Sequence, residues 1–316
     1  DPQNVDAFLY VESCYTLGVA AFWQGHFQQA RQHLEGGIAA YDQQQHAIHI
    51  ARYGQDPGVV CLSRLAWTFW YLGYPEQALQ CSRQAFTLAM PLKHPFSIGY
   101  ALTWMQWLAY DMRDKIRAAE AADLILAYQK QFELSAANRA LNLVICGKTL
   151  MASGQADQGM QLICAGIETA SISQYERMFK AHFQAILAQA LVALGNYAQA
   201  QHAIQVALDH IGIYHDGYYE AELYRLQGEI LLTTGKPDAA VESYFHRALH
   251  IAREQQAKSL ELRAAMSLAR LWAQQGKRSE AYTLLAELYS WFTEGFDTPD
   301  LQEAQALLAQ FQHSTA

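Results

Sequence analysis

The feature that most constrains this chain is a spacing. Turn residues recur at Gly25, Gly73, Asp114, Gly154, Gly195, Gly235 and Gly276, at intervals of 48, 41, 40, 41, 40 and 41 residues. Five residues after each lies a small side chain: Ala30, Ala78, Ala119, Gly159, Ala200, Ala240 and Ala281. So regular a period predicts a repeat solenoid, in which each unit buries its apolar face only by stacking on its neighbours. Solenoids present long surfaces, so the pattern points to binding rather than catalysis.

Each unit reads as a helical hairpin. In the fifth, Phe183, Ile186, Leu187, Ala190, Leu191 and Leu194 recur at helical spacing until Gly195-Asn196. Tyr197, Ala200, Ala203, Ile204, Ala207 and Leu208 then begin a second apolar stripe. The turn glycine ends the first helix because it enters the left-handed region cheaply. Pro75 and Pro237, two residues past their turn glycines, are expected in a helix first turn, where no amide donor is needed. Gly18, Gly147 and Gly228 lie seven before the turn in three units, and Ala66, Ala188 and Ala269 in three others. The small residues predict close helix contact. The third unit departs, with Trp107 and Asp114 at these positions. The first interval carries an excess between Asp42 and Gly58, read as a tolerated insertion, with a functional loop as the alternative. After a turn at Phe292–Pro299, a last helix from about Pro299 to Phe311 is expected to cap the array.

Composition sets bounds. Hydrophobic residues make up 52% of the chain, which excludes disorder. No apolar run reaches the length of a membrane span. The net charge of −8 argues against nucleic acid as a partner. Cys14, Cys61, Cys81, Cys146 and Cys164 form no CxxC pair and read as free thiols of a reducing cytoplasm. The chain opens at Asp1-Pro2 without an initiator Met and is expected to be a segment of a longer protein.

Signals for chemistry are weak. Gly147-Lys148-Thr149 matches the end of a phosphate loop, but Asn142 stands where its first glycine belongs, and no strand precedes it. His246 and His250 have ligand spacing without the glutamate of HExxH, and His46 and His49 lie in the insertion. No nucleophile constellation is visible, so no enzyme, metal or cofactor is expected. Seven basic residues from Arg247 to Arg278, against the acidic Glu254 and Glu261 within that stretch and Glu280 just beyond it, read as a solvated helix face.

Small-x6-Gly-x4-Ala is the tetratricopeptide (TPR) pattern, so the chain resembles a TPR protein with a longer period than the usual 34 residues or so. The expected fold is all-α. It is a TPR-like right-handed superhelical solenoid forming a single domain over 1–316. About seven hairpins (4–44, 57–90, 95–132, 136–171, 174–211, 218–255 and 258–293) precede a cap at 299–311. Three stretches carry a narrower resemblance: Tyr53–Gly58 running on to Leu72–Ala78, Glu220–Glu229, and Ala257–Ala265 with Trp291–Asp297. They resemble the C-terminal TPR region of large bacterial signalling ATPases. In that family an output domain and a P-loop ATPase module precede the repeats. The regulatory solenoid of maltose-type transcription activators is a more distant likeness.

That resemblance implies a regulatory region docking a protein or peptide partner, or its own ATPase module. The alternative is a small-molecule sensor with its ligand in the aromatic half. It also implies that the first helix of each hairpin lines a groove, with lining positions 13, 10, 6 and 3 residues before each turn. The early units then contribute Tyr15, Phe22, Trp67, Trp70 and Trp104. The later ones contribute Lys148, His182, Gln189, Arg225, Arg263 and Arg270. Aromatic anchors and forked arginine hydrogen bonds suit a ligand with an apolar and an anionic part; the alternative is that the aromatics at helical spacing are core and that Glu222, Arg225 and Glu229 form only an intrahelical ion network.

Overall fold

A computed structural model describes residues 7–171 and 176–313. The expected hairpin starts at 4–6 and at 174–175 lie outside the described residues. Among those described, sixteen α-helices and two 3-10 turns, with no strand, make seven helical hairpins and a closing helix. The hairpins are α1 (Ala7–Trp23) with α2 (Phe27–Ala40), α4 (Pro57–Leu72) with α5 (Pro75–Leu92), and α6 (Pro95–Asp111) with α7 (Lys115–Gln129). Then follow α8 (Ala136–Ala152) with α9 (Ala156–Ser171), α10 (Glu176–Ala193) with α11 (Tyr197–Tyr214), α12 (Glu220–Thr233) with α13 (Asp238–Glu254), and α14 (Lys258–Gln274) with α15 (Arg278–Tyr289). Helix α16 (Pro299–His313) closes the array. The fold is TPR-like.

The chain divides into two compact units, Asp1–Asn142 and Leu143–Ala316. In unit 1 the first helices α1, α4 and α6 touch in succession. In unit 2 the same holds for α10, α12, α14 and then α16. Each unit thus has a continuous row of first helices. Second helices wedge against the next first helix, as α5 does on α6 and α13 on α14.

Six of the seven hairpin turns use the predicted glycine with positive φ, from 68° at Gly235 to 91° at Gly73. The third is corrected by one residue. Arg113 takes the left-handed conformation at φ 60°. Asp114 instead caps α7, its carboxylate accepting the Arg117 amide at 3.0 Å. An aspartate that caps well was mistaken for the turn residue itself. The crossing residue of this unit therefore shifts from exposed Ala119 to half-buried Ala118. The sixth turn is one residue longer than predicted. Pro237 is the N-cap of α13 rather than its first helical residue. Ala240 is consequently exposed, and Val241 is fully buried in its place.

The small residues do mark close crossings. A Cβ added to Gly147 would meet the Gly159 carbonyl oxygen at 2.5 Å, and one on Gly228 would meet the Phe245 ring at 2.5 Å. On Gly18 it would meet Leu34 Cγ at 2.7 Å. The expected loop at 42–56 is instead a 3-10 turn, Gln43–Gln45, followed by a two-turn helix α3, His46–Tyr53. Helix α3 is pinned by buried His49, whose Nδ1 lies 2.7 Å from Glu12 Oε1 and whose ring stacks on Phe8 at 4.1 Å. Asp56 then caps α4 through the Val59 amide and accepts the Tyr41 hydroxyl at 2.7 Å. In unit 2, α16 packs Leu301, Ala304 and Phe311 into the last apolar cluster with Leu285 and Leu288.

Alanine is a better helix former than glycine by about 1 kcal/mol. Gly147→Ala is nevertheless expected to lower stability, because the contacting oxygen is backbone and cannot rotate away. Gly212→Ala, where a Cβ meets nothing within 4 Å, is expected to raise stability by about 0.5–1 kcal/mol. Urea unfolding of the two variants measures both signs.

Candidate functional site

The predicted aromatic residues of unit 1 come together, but as interior. Trp67 is 1% exposed and Phe22 is fully buried. Their rings stack at 4.7 Å. Trp67 also lies 4.8 Å from Trp104, 5.7 Å from Tyr71 and 6.0 Å from Trp23. Its indole N–H donates to the Asp111 carboxylate. Trp70 is buried against Tyr71 at 4.7 Å. The 41-residue repeat places these rings on successive first helices, where they tie hairpin to hairpin. Only Tyr15 of the early set is half-buried rather than buried.

In unit 2 the first-helix row is polar. Lys148 on α8 donates to Gln189 Oε1 on α10 at 2.8 Å. Arg225 on α12 forks onto Glu222, with Nε and Nη2 at 2.8 and 2.7 Å from its two oxygens. Its Nη1 reaches Glu229 at 3.1 Å and Ser267 on α14 at 3.3 Å. Ser267 closes the loop by donating to Glu229 at 2.6 Å. Arg263 holds Asp300 of the closing helix at 2.8 Å, and Arg270 pairs with Glu303. Lys148, Gln189, Arg225 and Arg270 are all half-buried. Their polar ends therefore line the row without being free in solvent.

His182 and Arg263 are placed differently from the rest. His182 is fully buried and stacks on Tyr219 at 3.9 Å. Burial, reinforced by the Arg263 charge, pushes its imidazole well down, so it is neutral. Arg263 is likewise buried and ties α14 to α16. Neither is an open contact residue in this arrangement.

Three other sequence signals resolve as structure. Gly147-Lys148-Thr149 lies in the middle of α8, not in a loop. His246 and His250 are exposed on α13 and each faces a glutamate on its own helix, Glu242 at 3.5 Å and Glu254 at 3.3 Å. No cluster of metal-ligating side chains occurs among the described residues. The basic stretch is largely internally paired: Arg253 and Lys258 with Glu261, Lys277 with Glu242, besides the two arginines above. Among the described residues no helix is long and apolar enough to cross a membrane.

Sequence reasoning missed Arg64 and Tyr100 in unit 1. Arg64 lies nine residues before Gly73, between two lining positions. Counting from Arg113 instead of Asp114 puts Tyr100 on a lining position, so the one-residue slip at the third turn hid it. It also missed Ser267, Asp300 and Glu303, whose roles arise only across 33 to 42 residues.

No family model matches the chain, and no curated protein sequence matches it. Its fold is similar to that of several solved structures. One is a Rap protein complexed with Competence and Sporulation Factor, at TM-score 0.61 and 14% identity, covering 95% of this chain and 80% of that one. Another is the apo form of the quorum sensor NprR from B. thuringiensis, at TM-score 0.56 and 11% identity, covering 92% and 78%. The yeast Tom70 structure is similar at TM-score 0.51 and 13% identity, covering 91% and 60%. At these identities the likeness is one of fold.

Trp67→Ala is expected to cost about 3–5 kcal/mol of stability, since the cavity opens among five other rings; chemical denaturation followed by circular dichroism measures it. Lys148 gives a pH prediction. Burial pushes its ammonium down to about 8 from 10.5. Between those values the unfolded chain binds more protons, so this group makes stability rise with pH across the window. Below it, the buried charge costs up to about 3 kcal/mol. Lys148→Met is expected to be more stable than the parent at pH 7, with the gap closing by about pH 10. A gap of equal size at both pH values contradicts this.

Proposed function

We propose that this chain is a non-catalytic regulatory and interaction region that docks a protein or peptide partner along the first-helix row of unit 2. The observation that carries the reading is the half-buried polar row itself: Lys148 with Gln189, Arg225 with Glu229 and Ser267, and Arg270 with Glu303. Stacked first helices have no structural need for such a row, since apolar contacts join hairpins equally well. A half-buried forked arginine, Arg225, with half-buried Arg270 and Lys148, suits exchange of internal pairs for a partner's carboxylates and backbone carbonyls. The fold it shares with a Rap protein complexed with Competence and Sporulation Factor, and with a quorum sensor, supports a peptide- or protein-binding role. The narrower form of the proposal makes this the TPR region of a cytoplasmic bacterial signalling ATPase, with the ATPase module in the same polypeptide as the partner. It needs no cofactor and no nucleic acid or membrane contact.

A second reading, a small-molecule sensor in the aromatic-rich unit 1, draws on one observation: a guanidinium buried there without a carboxylate partner among the described residues.

The gene upstream of Asp1 tests the narrower proposal first, and an encoded P-loop ATPase module is expected. Calorimetric titration of that module against this chain is then expected to show binding. Lys148→Glu with Arg270→Glu is expected to weaken it about tenfold or more while the helical spectrum stays unchanged. An upstream region without an ATPase, or a double variant that binds as the parent does, overturns the in-chain docking.

A further inference from the structure

Arg64 projects from α4 in unit 1 and is 4% exposed. Its guanidinium lies 3.8 Å from the centre of the Trp104 ring, 4.9 Å from that of Trp23 and 5.8 Å from that of Tyr100. Its Nε donates to the Tyr100 hydroxyl oxygen at 2.7 Å. Nη1 is fully buried and has no hydrogen-bond partner among the described residues. No ion pair joins Arg64 to a carboxylate among the described residues; Glu12 is engaged with His49, Asp56 with the Val59 amide and Tyr41, and one oxygen of Asp111 with Trp67. A buried cation without an anion is costly, and aromatic faces offset only part of that cost.

Tyr100 completes the arrangement. Burial pushes its phenol up, against the pull of Arg64, and the nearby Tyr15 phenol adds to the rise. It therefore keeps its proton at neutral pH. Its oxygen accepts from Arg64, and its O–H donates to no group among the described residues. Tyr100 and Tyr15 are only half-buried, so this is the open side of the site. Phe96, Tyr100 and Trp104, four residues apart on α6, form an aromatic ladder with centroids 5.8 and 5.7 Å apart.

We infer that unit 1 binds a ligand carboxylate that accepts from the Tyr100 hydroxyl and answers the charge of the adjoining Arg64 guanidinium, with the ligand's apolar body laid on the half-buried Phe96 and Tyr100 rings. This names the ligand class for the sensor reading and rests on it; it is independent of docking by unit 2. A guanidinium fork matches a planar carboxylate. A dianionic phosphate would face a single cation among aromatic walls, with too few donors for its oxygens.

The test titrates the whole chain with phenylacetate, its neutral amide phenylacetamide, and phenyl phosphate, reading Tm and tryptophan fluorescence. Phenylacetate is expected to raise Tm and change the fluorescence, with the amide about tenfold weaker. Arg64→Met, which removes the unpaired charge, is expected to keep a ligand-free Tm no lower than the parent's and to lose the phenylacetate response. Arg64→Lys and Tyr100→Phe are expected to fold and to bind about tenfold more weakly. If Arg64→Met fails to fold, these two decide, and parent-like affinity in both overturns the site. Amide binding equal to that of phenylacetate, or tighter phenyl phosphate binding, overturns the carboxylate while leaving a sensor. No response to any of the three probes overturns both.

Discussion

The rest of this structure depends on how closely the two helices of a hairpin approach. At Gly147 the neighbouring helix presents a backbone oxygen where a side chain would begin, and at Gly228 it presents the face of Phe245. Glycine in a helix interior costs about 1 kcal/mol of propensity, so its presence at these crossings shows that proximity outweighs propensity. With the hairpin closed, its two apolar faces are both covered only when another hairpin stacks on it. The left-handed turn residue sets where one helix stops and the other starts. Together these two constraints fix the 40- to 41-residue unit and the row of first helices.

That row is used differently in the two units. In unit 1 it is filled with interlocked rings, and the series Phe22–Trp67–Trp104, its first pair stacked and its second tilted, runs through three hairpins. Rings so placed hold the hairpins in register through burial and edge-to-face contacts. In unit 2 the corresponding helices carry lysine, arginine, glutamate and serine, joined by hydrogen bonds that run from one hairpin to the next. Such pairs hold register more weakly, since their strength is set against the loss of hydration. Unit 2 thus carries a half-buried polar row, whereas in unit 1 the buried Arg64 has no carboxylate partner among the described residues.

The two departures from the repeat that are visible in the sequence are both in unit 1 and both have local causes. The first interval is long because α3 is an added helix. It docks through the buried Glu12–His49 contact, which spans 37 residues. The third turn lacks glycine because Arg113 takes the left-handed conformation and Asp114 caps the helix that follows. The cap compensates part of the strain that a non-glycine residue meets there.

Repetition made much of this molecule legible from its residues alone. Hairpin number, helix positions within a few residues, turn glycines and close crossings are local properties, set by side-chain volume, backbone freedom and 3.6-residue periodicity. Periodicity could also say which residues share the first-helix row. It could not say whether Trp67 faces solvent or five neighbouring rings, because burial depends on what the adjacent hairpin brings to the same place. Nor could it pair Lys148 with Gln189, Arg263 with Asp300, or Glu12 with His49, since those partners meet only after the stack has formed. Arg64 shows the same division most clearly. In the sequence it is one arginine in an apolar helix; only the packed unit surrounds it with rings and leaves its charge unanswered.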